Sequence, residues 1–142
     1  MSRKPLISIA IPAYNEAENI PELWQRLTAM FQGLESEYDF EVVVCENGSH
    51  DNSYEKLTEI RDVDDRLRIV RLSRNFHMEG GMLAALSKVS GDACVVMSAD
   101  LQDPPEMIPE MIKRWRNGDD HVYTVITHRH GESKFRRVAA EI

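Results

Sequence analysis

The sequence predicts an α/β fold with a mostly parallel central sheet and helices on both faces. Three observations carry that expectation. Short apolar runs alternate with helical patterns along all 142 residues, the rhythm of successive βαβ units. The run DACVVM (92–97) is nearly continuous in apolar residues, like a strand covered on both faces. Each apolar run is also followed at once by a conspicuous polar segment, and sheets of this kind bind ligands at the carboxyl ends of their strands.

Taken in order, LISIAI (6–11) is the first expected strand, rich in Ile. Asn19 with Glu22 has the spacing of a helix cap. Pro21 falls in the first turn, where a missing N–H does little harm. Ile20, Leu23, Trp24, Leu27, Met30 and Phe31 then recur at helical spacing on one face. FEVVVC (40–45) is the second strand, and residues 51–61 the second helix, with Asp51 or Asn52 as its cap. RLRIVRL (66–72) reads as a third strand. A helix over 79–90 is expected to bury Met82, Leu83, Leu86 and Val89. After DACVVM, the stripe Met107, Ile108, Met111, Ile112 and Trp115 marks another helix, HVYTVI (121–126) a fifth strand, and the remainder a basic helix start. The Met and aromatic stripes read as core.

Composition excludes several classes. Apolar residues make 42% of the chain and charged ones 29%, which is ordinary for a globular protein. A formal charge of -7 argues against a general nucleic-acid surface. No apolar run approaches the roughly 18 residues of a membrane span, and the start lacks a signal peptide's apolar stretch. Cys45 and Cys94 lie in strand-like runs, so both are expected as buried, reduced thiols. The five His residues show no zinc spacing with either.

The polar segments hold the candidate chemistry. In PAYNEAEN, Pro12 stiffens the strand exit, Tyr14 offers a flat face for a base, and Glu16 an acceptor near a helix start; a capping turn explains the same residues. In ENGSHDNS, Glu46 at the strand end is expected to point into a cleft, where it could accept a ring N–H of uracil or guanine. In SRNFHMEGG, Arg74 can pair with phosphate, and Gly80-Gly81 is expected to open a helix at close backbone approach. That pair is neither GxGxxG nor a P-loop. In SADLQDPP, Asp100 and Gln102 alternate in what reads as an extended segment, so both can converge with Ser98. Hard oxygen ligands so spaced suit Mg²⁺ or Mn²⁺ sharing phosphate oxygens with a substrate. Asp103 is explained by an Asp-Pro helix cap. THRHGESKFRR is a local positive cluster in an acidic chain.

PAYNEAENIPEL, ENGSHDNS, LSRNF, GDACVVMSADLQDPPEMIPEMIKRW and HRHGESKFRR together resemble family 2 glycosyltransferases of the GT-A fold, a Rossmann-like nucleotide-diphospho-sugar transferase fold. The resemblance is to the polyprenyl-phosphate sugar transferases of the dolichol-phosphate mannose synthase type, and it runs over nearly the whole chain. It implies transfer, with inversion, of a sugar from a nucleotide-diphosphate sugar to a polyprenyl phosphate or another lipid or glycan acceptor. It implies that Pro12, Tyr14 and Glu16 hold the nucleotide, that Glu46 and Asn47 contact the base, and that Asp100 and Gln102 hold the metal on the diphosphate. Arg129 and Lys134 match the phosphate-neutralising loop around GES. Nucleic acid is not an expected partner.

Departures from the family pattern stand at Ser98, where an acid is usual, and at Glu46-Asn47, often two aspartates. Glycine is common at His77 and arginine at Ile126. A hydroxyl at 98 brings no charge, so the diphosphate is expected to supply more of the coordination. The chain is expected to be one donor-binding GT-A domain over 1–142, ending before the acceptor region and the catalytic base. The implied location is cytoplasmic, at the inner face of a membrane if the full-length form continues into membrane segments. The alternative is a non-catalytic nucleotide-sugar-binding module or partner subunit, favoured by Ser98 and His77.

Overall fold

The computed structural model describes residues 3–125. Contacts divide the chain into two units, Met1–Ile108 and Pro109–Ile142. The first alternates strand and helix: β1 (Leu6–Ala13), α1 (Ile20–Leu34), β2 (Asp39–Glu46), α2 (Ser53–Arg61), β3 (Leu67–Arg71), α3 (His77–Leu86) and β4 (Ala93–Val96). A single 3-10 turn, Pro105–Met107, then leads into α4 (Ile108–Arg116), which carries Lys113, Arg114 and Arg116 in its last turn.

All four strands are parallel, in the order β3-β2-β1-β4. The chain steps outward from β1 to β3 and then returns to the other side of β1. The strand order therefore reverses between β1 and β4.

Side-chain alternation assigns the two faces. Ile11, Val42, Val44 and Leu67 meet Ile20, Leu23 and Leu27 of α1 and Leu57 of α2. The intervening Ala10, Val43 and Cys45 pack with Ala85 of α3. On α1 the expected stripe is buried except for Trp24, which is half-buried and meets Phe31 edge-on at 6.4 Å. Phe31 stacks on Phe40 at 4.4 Å between centroids.

Several expectations are corrected. Asn19 makes no side-chain cap; its Nδ2 donates instead to Glu16 Oε2 at 2.7 Å. The buried residues of α3 are Gly81 and Ala85, while Leu83 is 68% exposed and Leu86 is also exposed. The reason is steric. A Cβ on Gly81 would stand 2.8 Å from Asn47 Nδ2 and 3.2 Å from Pro12 Cβ, so only a small-residue face can approach so closely. Gly80 and Gly81 thus lie inside the helix, which begins at His77. Of the residues expected as core, Met107 is also exposed.

In β4 only Val95 is buried; Cys94 and Val96 are exposed, because β4 is the last strand of the described sheet. Both thiols are free, but Cys94 is not buried. Their strands flank β1 from opposite sides, with Cys94 opposite Ser8 and Cys45 opposite Pro12. Burial, then the neighbouring Glu46, pushes the Cys45 thiol up to about 11. Residues 121–125 form no strand. A strand exists through its ladder partner, and β-propensity alone does not provide one. Ile126 lies outside the described residues.

A polar cluster fastens the amino ends of the strands. Ser8 Oγ donates to buried Glu41 Oε1 at 2.6 Å, and Arg68 and the Ser90 backbone and hydroxyl donate to the same carboxylate. Burial alone would raise the Glu41 pKa, but these hydrogen bonds together hold it below the ordinary value.

Candidate functional site

The strand exits converge as parallel pairing requires, and their loops are tied to one another. After β1, Asn15 N donates to Ser49 Oγ at 2.9 Å, and Glu16 N to Ser53 Oγ at 2.9 Å. In return, Asn15 Oδ1 accepts His50 N at 2.8 Å. Asp51 Oδ2 accepts Ala17 N, while its Oδ1 accepts Ser53 N and Oγ. Asp51, not Asn52, is therefore the working cap of α2. Burial opposes its charge, yet the bonds from Ser53 and Ala17 hold its carboxyl below the usual range.

After β2, Gly48 turns with φ +71°; a Cβ there would sit 2.4 Å from the Arg74 carbonyl carbon. Asn47 is 2% exposed and bridges to the β3 exit. Its Nδ2 donates to His77 O at 2.8 Å and its Oδ1 accepts Phe76 N at 2.9 Å. One side chain thus uses both ends on backbone.

These loops enclose a cavity of about 290 Å³. Pro12, Ala13, Tyr14 and Glu16 line it from β1, and Asn47 from β2. Asn75, His77 and Met78 come from β3, and Ser98, Ala99 and Asp100 from β4. It opens at the reversal of strand order, where ligands bind in open α/β sheets.

Backbone strain gathers at the same place. Asn15 (φ +52°), His77 (φ +63°) and Leu101 (φ +64°) are the non-glycine residues with left-handed φ among those described. Each follows a different strand, and each lines the cavity or adjoins a residue that does. Such conformations cost on the order of 1–3 kcal/mol apiece and cluster at functional sites.

Leu101 also bends the acidic segment, so residues 98–103 are not extended as expected. Ser98 Oγ instead donates to Asp100 Oδ1 at 2.6 Å and lies 3.1 Å from Asp103 Oδ2. Asp103 Oδ2 also accepts Ser98 N at 3.0 Å, so Asp103 holds this loop and does not cap the following turn. Gln102 contributes its backbone N–H to Asp100 Oδ1 at 3.1 Å; its side chain does not line the cavity.

The expectation for Glu46 is corrected. It is 1% exposed and points away from solvent: Oε1 accepts Ser49 N at 2.6 Å, and Oε2 faces Arg71 Nε at 3.4 Å. Arg74 is exposed, lies over the Phe76 ring at 3.9 Å and is not among the lining residues. Arg129 and Lys134 lie outside the described residues. Asn75, His77 and Met78 join the lining without having been expected there, because neither an amide, a ring beside a glycine pair nor a thioether marks a phosphate site in sequence as Arg74 does.

The description "Glycosyl transferase family 2" fits residues 8–141. The chain belongs to that family.

Among its relatives, an uncharacterized glycosyltransferase, YkcC of Bacillus subtilis (strain 168), is 41% identical over 140 residues, covering 99% of this chain and 43% of that protein. An undecaprenyl-phosphate 4-deoxy-4-formamido-L-arabinose transferase of Yersinia pestis (strain Pestoides F) is 39% identical over 137 residues, covering 96% and 41%. This chain therefore spans about two-fifths of the length of these relatives. Among solved structures, the mannosyltransferase PcManGT from Pyrobaculum calidifontis, in complex with GDP-Man and Mn²⁺, matches with a TM-score of 0.69 at 21% identity, covering 85% of this chain and 34% of that one. TarS 1-349 of S. aureus in complex with UDP matches at 0.61 and 20%, covering 89% and 40%. The fold is that of the GT-A glycosyltransferases.

Within this family member, the acidic loop can be tested against a hard cation. Among the described residues, no three His, Cys, Asp or Glu side chains gather as a metal cage. Asp100 and Asp103 nevertheless flank one hydroxyl, and Asp100 Oδ2 makes no hydrogen bond within the described chain. One or two carboxylates completed by substrate phosphates and water is how Mg²⁺ is usually held. The donor set fits such an ion, weakly bound by the protein alone.

Proposed function

We propose that this chain is the donor-binding part of an inverting glycosyltransferase, moving a sugar from a nucleotide-diphosphate sugar to a polyprenyl phosphate or another lipid or glycan acceptor. The observation that carries this reading is the cavity at the β1–β4 reversal, lined from all four strand exits. Its volume suits part of a nucleotide sugar. The acceptor class is supported by the undecaprenyl phosphate in a relative's name.

In this reading the exposed Tyr14 presents its ring to the base, while Pro12 and Glu16 shape the wall beside it. Glu46 and Asn47 act on the base side by holding the Ser49 turn and the Phe76-His77 backbone. Arg129 is a proposed partner of the diphosphate, and Arg74 would join it by leaving the Phe76 ring on which it rests outside the lining. Asp100, with Ser98 secondary and Gln102 supporting it through its backbone N–H, would hold Mg²⁺ or Mn²⁺. When bound, that ion would offset the charge gathering on the departing diphosphate. The acceptor attacks the anomeric carbon opposite that leaving group; an ionised lipid phosphate needs no general base, whereas an alcohol does.

The test is calorimetric titration of the chain with UDP, GDP and dTDP sugars, in Mn²⁺ and in EDTA. One nucleotide class should bind more tightly in Mn²⁺. Absence of binding by every member of the panel would overturn the reading.

A further inference from the structure

We propose that His77 is a ligand of the donor's diphosphate, acting through a positively charged imidazole; the inference rests on the donor-binding reading of the cavity. His77 lines that cavity and is exposed. Its backbone is pinned on both sides. The N–H donates to Asn75 Oδ1 at 2.7 Å, and the carbonyl accepts Asn47 Nδ2 at 2.8 Å. The imidazole itself makes no hydrogen bond within the described residues. A backbone held on both sides thus sets, at the wall of the pocket, a ring with no hydrogen bond of its own among the described residues.

The backbone holds that ring at φ +63°, a region glycine occupies without penalty and other residues, histidine less than most, enter at a cost. A strained position that keeps a large polar side chain is a reason to look for work done by the side chain.

Charge indicates what that work is. From the β1 exit, Tyr14 and Glu16 face the same cavity, and from the β4 exit Asp100 does. Its own loop contributes Asn75 and Met78, both uncharged, while Arg74 lies outside the lining. Among the described lining residues, His77 is the one side chain able to carry positive charge. A diphosphate entering between two carboxylates needs a cationic counterpart, and a histidine gains charge as pH falls below neutrality.

The experiment compares UDP and GDP affinities of the parent, His77→Asn and His77→Lys at pH 6 and pH 8, in EDTA and in Mn²⁺. Asparagine tolerates left-handed φ, so His77→Asn removes the ring without disturbing the turn, which circular dichroism checks. In EDTA at pH 6, His77→Asn should bind about three- to tenfold more weakly than the parent. At pH 8 that ratio should approach one, and His77→Lys should there bind about three- to tenfold more tightly than the parent. Taking ratios at each pH cancels protonation of the nucleotide. If the parent binds nucleotide and His77→Asn matches it at both pH values, the inference falls while the donor-binding reading stands. If the parent binds no nucleotide, both fall.

Discussion

Ser98 is a single hydroxyl set between two carboxylates, and the cost of changing it depends on what else is bound. In place of the hydroxyl, a carboxylate at 98 would confront Asp100 and Asp103 across hydrogen-bond distances. Ser98→Asp should therefore lower thermal stability in EDTA and recover it in Mn²⁺, with metal affinity above the parent's; equal melting curves in both media would refute this. Asp100→Asn should abolish most of the gain in nucleotide affinity that Mn²⁺ gives, because an amide brings a dipole where the carboxylate brought a charge. By linkage the gain in metal affinity from nucleotide should vanish equally. Side-chain identity at the strand exits was legible before the structure: Pro12, Tyr14, Glu16, Asn47, Ser98 and Asp100 all line the cavity. Side-chain direction was not. Glu46 follows an apolar strand like the others, yet the Ser49 turn folds its carboxylate inward, and nothing in residue order encodes that turn's orientation.

Among the elements, α3 teaches most. Its large apolar residues were read as its core face, but close packing against Asn47 and Pro12 selects Gly81 and Ala85. Hydrophobic pattern identifies a helix; it does not say which face can come near a partner. Gly81→Ala should cost about 1–3 kcal/mol in urea unfolding, since the added methyl overpacks against Asn47. The strand amino ends make a separate prediction. Glu41, whose folded pKa is depressed, adds stability above its unfolded value that is lost as pH falls through the lower folded one. Glu106 behaves alike on the surface: its hydrogen bond with Arg26 lowers its pKa to about 2, so that tie from α1 to the 3-10 turn outlasts most carboxylate contacts in acid. Glu41→Ala should destabilise the protein by about 2–4 kcal/mol at pH 7, and the deficit should shrink as pH drops toward 3. A deficit constant between pH 7 and pH 3 would mean that packing, not charge, holds this cluster.

For the whole molecule, strand–helix alternation was sufficient to foresee the parallel sheet, and its continuous apolar runs located four strands to within a residue or two. The expected fifth strand is absent over residues 121–125, because an alternating pattern records propensity and not the ladder partner that a strand needs. Ligand binding should stabilise the fold as a unit. Nucleotide with Mn²⁺ at about a hundred times Kd adds roughly 2.7 kcal/mol, raising Tm by several degrees, and Asp100→Asn should forfeit most of that rise in scanning calorimetry.

The return of β4 to the side of β1 has a consequence for the birth of the molecule. Leu6 and Asp92, joined where these strands meet, are 86 residues apart in sequence. Closing so long a loop is entropically slow, while β1, β2 and β3 pair in the order the ribosome delivers them. The nascent chain would therefore hold a three-stranded, ligand-blind sheet until β4 emerges and slots in. In pulsed hydrogen exchange during refolding, amides of β2 should gain protection before those of β4, and nucleotide added early should leave the first phase unchanged.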